Sequence, residues 1–352
     1  MGAAQDHAPQ GTVKELAYNK RVSGGGAGVW LQCTHVAEGH AGAALALAAA
    51  PHALYSGGVD RSVRAWDMVA GVEAWRGACG GAVGALAAGA EAGPARLVLA
   101  AAGAAVRVFD TRMRGPLTTL WSSGASGACP ARAAGEVAVT ALALGGGSSA
   151  PRLYTAAGDK LRLWDPRMWE CVGKVWSGHA AAVMCVALGR AGAGGELLAT
   201  GSKDHYVRLA DVHTLDTGSC EASNRRLLQP PHYDGVQALA LTDDAALYSG
   251  SRDSAIKRWS LHDNKLTHSV MNAHKGWVTG VVWWRRGGEQ LVASCGRDAA
   301  LRAWAAPALR PLAAAPLPDA PHALAAHPLH PDLLYTAGNG GEVRAWRLVA
   351  ER

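Results

Sequence analysis

The sequence predicts an all-β protein: a seven-bladed β-propeller of four-stranded blades, closed by an N-terminal strand that completes the last blade. Three observations predict it. Short runs of period-two hydrophobicity end in polar turn residues and recur along the chain, which reads as consecutive antiparallel hairpins. Trp66, Phe109, Trp164, Ala210, Trp259, Trp304 and Trp346 hold one equivalent position in seven units, spaced 43, 55, 46, 49, 45 and 42 residues apart. Periods of about 40–45 residues mark four-stranded propeller blades. In four units an Asp (Asp60, Asp204, Asp253, Asp298) stands six residues before that position, an offset that random apolar sequence does not hold.

Residues 1–27 end in a Gly-rich run and are expected to be a flexible linker, with the propeller occupying 28–352. Val29–Val36 is an isolated strand before the first unit. Glu38–His40 opens that unit, which closes on Asp60 and Trp66. The second is degenerate, with Gly103 for the turn Asp and Phe109 for Trp. The third ends at Trp164 after a long connection, Gly115–Glu136. The fourth carries His179, Ser202 and Asp204 but Ala210 at the Trp position. The fifth is the most regular: runs Val236–Leu241, Ala246–Ser251 and Ile256–Trp259, with His232, Ser251 and Asp253. The sixth holds His274, Asp298 and Trp304, and the seventh closes at Trp346. Only six residues follow Trp346, too few for a turn and a fourth strand. The orphan strand is therefore expected to supply it, since an open ring leaves unpaired edges.

Composition excludes several classes. The 34 Lys+Arg against 28 Asp+Glu give a formal net charge of +6, which favours acidic partners and makes no case for nucleic acid. Seven Cys form no CxxC pair and are odd in number, arguing against a disulfide framework or zinc site. Residues 1–27 lack the apolar run of a signal peptide. Ala41–Ala50 is far shorter than the roughly 20 apolar residues of a membrane helix. Neither GGGAG (24–28) nor GGGSS (145–149) is a phosphate-binding loop. His322, His327 and His330 have no Cys or carboxylate cluster to complete a metal site. No metal and no cofactor is expected.

A His/Ser/Asp set invites comparison with a hydrolase triad, but a triad occurs once in a molecule. Here the set is complete in the fifth unit and partial in the first, fourth and sixth. Repetition argues for bracing: the Asp accepts from His and turn amides, and the Ser relays to the indole N–H. The bracing network is expected to comprise His40, Asp60 and Trp66; His179, Ser202 and Asp204; His232, Ser251, Asp253 and Trp259; and His274, Asp298 and Trp304. Surface residues offer more for function. Lys203, Arg252 and Arg297 precede the turn Asp in three successive blades, and Tyr233, Asp234, Lys275 and Trp277 follow the blade-opening His residues. They are expected to share one face, where Arg beside aromatic residues resembles an interface hot spot.

The units resemble WD40 repeats. More specifically, LQCTHVAEGH (31–40), GSKDHYV (201–207), QPPHYDGVQAL (229–239), GSRDSAIKRW (250–259) and NAHKGWV (272–278) look like the C-terminal WD40 domain of kinesin-like motors of the fourth kinesin class. The connection around 122–133 also sits where that family carries one, and the similarity covers about residues 29–348. The resemblance implies a non-catalytic scaffold in the cytoplasm, on the cytoskeleton. It would engage tubulin or microtubules and cargo or regulatory proteins, with no small-molecule substrate and no membrane insertion. In the family a motor and a coiled coil precede the propeller; neither is read in this chain, so no ATPase activity carries across, and the isolated domain is expected to be monomeric. Two alternatives stand. FDTR (109–112) and WDPR (164–167) match the WDxR box of cullin-type ubiquitin ligase substrate receptors, and the His232/Ser251/Asp253 set could serve a hydrolase. Ala210 removes an indole anchor, so the fourth blade is expected to be looser unless neighbouring side chains fill the gap.

Overall fold

The computed structural model describes residues 11–16, 28–89, 96–127, 136–145, 151–190, 196–214, 220–330 and 332–350. The described residues form 29 strands and no helix, numbered here β1–β29 in chain order. The fifth blade explains why these residues make strands. It contains β19 (Val236–Leu241), β20 (Ala246–Ser251), β21 (Ile256–Ser260) and β22 (Lys265–Val270), paired antiparallel in that order. Every residue of β20 is buried, whereas β22 alternates exposed and half-buried along its length. A strand covered on both faces needs a continuous run of small and apolar residues, and an outer strand needs only one apolar face. The observed bounds of β19 and β20 coincide with the expected runs.

Five four-stranded sheets are separate, and the first and seventh blades join into one nine-stranded sheet. The expected closure is present: β2 (Val29–Glu38) pairs antiparallel with β29 (Val343–Ala350), with Val29 opposite Ala350 and Ala37 opposite Val343. The core lies between neighbouring blades. Each Trp packs against the blade before it, Trp259 with Leu197 and Leu209, and Trp66 with Tyr335 and Val343, so the first and seventh blades share a core. Blades approach closely where a glycine meets the next blade's valine: a Cβ on Gly250 would lie 2.6 Å from Val278 Cγ1, and one on Gly57 2.4 Å from Val83 Cγ1.

One expectation needs correction. Within the expected linker 1–27, β1 (Thr12–Glu15) is a strand; residues 1–10 and 17–27 lie outside the described residues. It pairs with β2 from Thr12 opposite Glu38 to Glu15 opposite His35, and Thr12 also pairs with Val72 of β6 (Val72–Ala78), the outer strand of the first blade. β1 thus bridges the outer edges of the first and last blades. Gly11 N donates to Glu73 Oε2 at 2.6 Å, and a Cβ there would sit 2.7 Å from the Trp66 ring. Burial pushes the Glu73 pKa up, but hydrogen bonds from Arg76 and Gly11, with the Arg64 and Arg76 charges, win and hold it low. TVKE is too short and polar to read as a strand alone; it is one because β2 offers an unpaired edge. Deleting residues 1–16 is expected to cost about 2–4 kcal/mol, as several backbone bonds and a buried carboxylate's partner are lost. Urea denaturation checks this, and an unchanged midpoint would show that the strap bears no part of the closure.

Candidate protein-binding face

The loop that enters a blade and the turn between its second and third strands lie at the same end of the sheet. The blade-opening His and the turn Asp meet there. His232 Nδ1 lies 2.9 Å from Asp253 Oδ2, and His232 Nε2 2.8 Å from Ser249 Oγ, which also accepts from Trp259 Nε1 at 2.9 Å. His40 joins Asp60 and Ser56, with Trp66 Nε1 donating to Ser56; His274 joins Asp298 and Ser294, with Trp304 donating to Ser294. His179 joins Asp204 and Thr200.

This corrects the expected relay. Ser251 and Ser202 do not link His to Trp. Ser251 Oγ donates to Asp234 O at 2.9 Å and accepts from Asp253 N at 3.2 Å, and Ser202 does the same with Ala181 O and Asp204 N. Trp259 stands opposite Leu247, so its indole reaches the diagonal neighbour Ser249. Ser251 is two residues farther along, about 6.6 Å at the strand rise. The signal that could have found the relay hydroxyls is a ten-residue offset to the Trp position, held by Ser56, Thr200, Ser249, Ser294 and Thr336. The geometry also removes the His232/Ser251/Asp253 triad. His232 bonds Ser249, which is wholly buried between the Trp259 indole N–H and the imidazole.

The donors fix the imidazole tautomer. Trp N–H to Ser, Ser O–H to His Nε2 and His Nδ1–H to Asp satisfies every group only if the His is neutral. All four imidazole side chains are fully buried, and burial lowers their pKa despite the adjacent carboxylates. For Asp253, burial pushes upward but is outweighed by the hydrogen bonds from His232 and from the Ala255 and Tyr233 amides, holding the carboxyl at about 2. Asp60 is likewise held at about 2 against burial, by His40 and by Ser62.

These tetrads hold the surface residues in place. Lys203, Arg252 and Arg297 each donate the same backbone bond, to Ala182 O, Gly235 O and Trp277 O at 2.9–3.0 Å, so they occupy equivalent sites in blades four, five and six. Arg252 Cζ lies 4.3 Å and Arg297 Cζ 3.8 Å from the centroid of Trp277, so one indole joins guanidinium groups from adjacent blades. Each contact contributes about 0.5–1 kcal/mol at an exposed site. Gly235 fits between Lys203 and Arg252, 3.3 Å from Lys203 Cα measured from its would-be Cβ. Tyr233 N and Lys275 N donate to Asp253 and Asp298, which leaves both side chains exposed, Tyr233 at 77%. Asp234 Oδ1 accepts from Gly235 N. Among the described residues no ion pair neutralises Lys203, Arg252, Lys275 or Arg297. The corresponding residues of the other blades, Val59, Ala102, Ala157 and Asn339, are uncharged, so the positive arc is confined to blades four to six.

Seven four-stranded blades, a strand from each end sharing the last, and His–Asp–Ser–Trp tetrads make one pattern, and the WD domain, G-beta repeat family matches residues 31–67 and 169–211. The fold is that of a WD40 propeller. This WD40 propeller is 33% identical over 331 residues to kinesin-like protein KIF21A of Homo sapiens, and 32% identical over 333 residues to kinesin-like protein KIF21B of the same species. The matches take in 90% and 91% of this chain and 19% of each relative. Kinesin-like protein klp-12 of Caenorhabditis elegans is 32% identical over 155 residues, 43% of this chain and 9% of that protein. The WD40 region is thus related to that of kinesin-like proteins and spans about one fifth of the first two. The arginines of the two WDxR-like sequences differ from the tetrad residues: Arg112 folds back on Asp110 with Nη2 at 2.5 Å, and Arg167 N donates to Asp165 Oδ1 at 2.8 Å. Among the described residues no group of His, Cys, Asp and Glu that could hold a metal is found, and there is no helix long and apolar enough to cross a membrane.

Proposed function

We propose that this WD40 propeller is the partner-binding tail of a kinesin-like protein, a cytoplasmic scaffold that engages acidic protein segments, foremost the disordered acidic tails of tubulin, through blades four to six. The observation that carries this reading is Trp277 in contact with both Arg252 and Arg297, with Lys203 beside them and no carboxylate among the described residues pairing any of the three. The indole's negative face tempers repulsion between the two guanidiniums. Aromatic and Arg side chains clustered in this way supply interface energy. Exposed charges beyond about 8 Å are screened at physiological ionic strength, so binding is salt-sensitive. Cargo or regulatory proteins would dock on the same rigid ring, and the isolated propeller is monomeric, with dimerisation left to a coiled coil.

The test is cosedimentation with microtubules at rising ionic strength. Binding is expected to fall with salt, and to weaken roughly tenfold or more (about 1.4 kcal/mol per decade) when Lys203, Arg252 and Arg297 are all changed to Glu. Undiminished binding by the triple variant would remove this face from the interaction.

A further inference from the structure

We propose that the vacant indole position in the fourth blade is a binding site for a phosphate group. In five blades a Trp fills this position and donates to a Ser or Thr: Trp66 to Ser56, Trp164 to Thr155, Trp259 to Ser249, Trp304 to Ser294 and Trp346 to Thr336, all at 2.8–3.0 Å. In the second, Phe109 is wholly buried and meets Trp75 edge-on at 5.4 Å. The fourth has Ala210. Its neighbours do not close over the gap, and a cavity of about 100 Å³ remains between the third and fourth blades.

The lining is not that of an empty apolar hole. Leu161, Leu198 and Leu209 form one part, while Thr200, Arg208 and Arg226 contribute polar groups. Arg208 Nε and Arg226 Nε are buried and have no hydrogen-bond partner. Arg64 Nε and Arg302 Nε are left in the same way, but their guanidinium groups are ion-paired, Arg64 with Glu73 at 2.8 Å and Arg302 with Asp298 at 3.3 Å, while Lys257 at the same position donates to Pro231 O at 2.7 Å. No carboxylate pairs with Arg208 among the described residues, and Asp211, 2.7 Å from Arg226 Nη2, is the counter-charge of Arg226. Apolar cavities stay dry, whereas donors left unpaired in a roomy site call for an acceptor.

Size and charge select that acceptor. A cavity of about 150 Å³ is needed for benzene, and a water's share is about 30 Å³, so this one is small for a ring and large for one water. A tetrahedral phosphate group fits between, and planar guanidinium forks match its oxygens. Arg225 and the exposed Leu227 line the mouth on β18 (Cys220–Leu227), the outer strand of the blade, so the group enters from the rim. It could arrive as free phosphate or on a phosphorylated side chain of a partner. The site lies apart from the Arg252–Trp277–Arg297 arc and does not depend on it.

The experiment is calorimetric titration of the whole chain at constant ionic strength with inorganic phosphate, a phosphoserine tripeptide and the unphosphorylated tripeptide. Saturable binding of phosphate or the phosphopeptide, but not of the unmodified peptide, is expected. Tighter binding of the phosphopeptide assigns the site to a partner's side chain, and tighter binding of inorganic phosphate to the free ion. Ala210→Leu, which fills the hole, and Arg208→Met, which keeps the stem without the fork, should each weaken binding at least tenfold, while Arg252→Glu leaves it unchanged. Two variants guard against one that fails to fold. No saturable binding at millimolar phosphate, or binding by both variants as tight as by the unaltered chain, would overturn the proposal.

Discussion

Replacing Asp253 by Ala is expected to cost about 3–5 kcal/mol of folding stability, the largest effect of any single substitution discussed for this propeller. Its carboxylate accepts from His232 Nδ1 at 2.9 Å, Tyr233 N at 2.8 Å and Ala255 N at 2.9 Å. Alanine leaves an imidazole N–H and two amides without their acceptor, and the imidazole is fully buried. Bonds to a charged acceptor contribute about 1.5–3 kcal/mol each, and the entering loop recovers part of the loss by reaching water. Two further variants turn this into a ranking. Ser249→Ala strands Trp259 Nε1 and His232 Nε2 and is expected to cost about 2–3 kcal/mol. Ser251→Ala releases only a carbonyl and an amide at the turn, for about 1 kcal/mol. Guanidinium denaturation gives the order directly. Ser251 ranking above Ser249 would mean that the relay runs through the turn serine, contrary to the distances.

Acid is expected to destabilise the propeller well before ordinary carboxylates titrate. His40, His179, His232 and His274 have folded-state pKa values below their ordinary 6.5, chiefly through burial. A group that binds its proton more weakly when folded takes one up on unfolding. Its contribution is therefore complete above pH 6.5 and is lost as pH falls below 6.5 toward the folded value. Each imidazole can contribute a slope of up to about 1.4 kcal/mol per pH unit, so four together reach about 5.6 kcal/mol per pH unit at the limit. Asp60 and Asp253, held at about 2 against an ordinary 3.8, continue the same trend: their contribution is present above 3.8 and is lost as pH falls toward 2. Denaturation midpoints between pH 7 and pH 5, with calorimetric proton uptake on unfolding, measure the His part. A flat profile over that range would mean that the imidazoles take up protons in the native blades as readily as in the unfolded chain.

Much of the candidate site was legible because its spacing is local. Lys203, Arg252 and Arg297 each precede a turn Asp, and Trp277 follows a blade-opening His, so a repeat register places them at one end of their blades. What was not legible is that Trp277 lies between Arg252 and Arg297, because that contact crosses from one blade to the next.

The sequence by itself determined the number of blades, the strand bounds of the fifth blade and the sharing of the last blade between chain ends. These follow from hydrophobic period and repeat length, which the order of residues carries directly. The tertiary structure alone decided three things. It made a strand of Thr12–Glu15, since four polar-rich residues pair only where β2 presents an open edge. It chose Ser249 over Ser251 as the relay, since the diagonal across two strands, and not chain distance, sets which hydroxyl an indole reaches. It left the Ala210 position open, since whether a missing ring is filled depends on packing from the neighbouring blade.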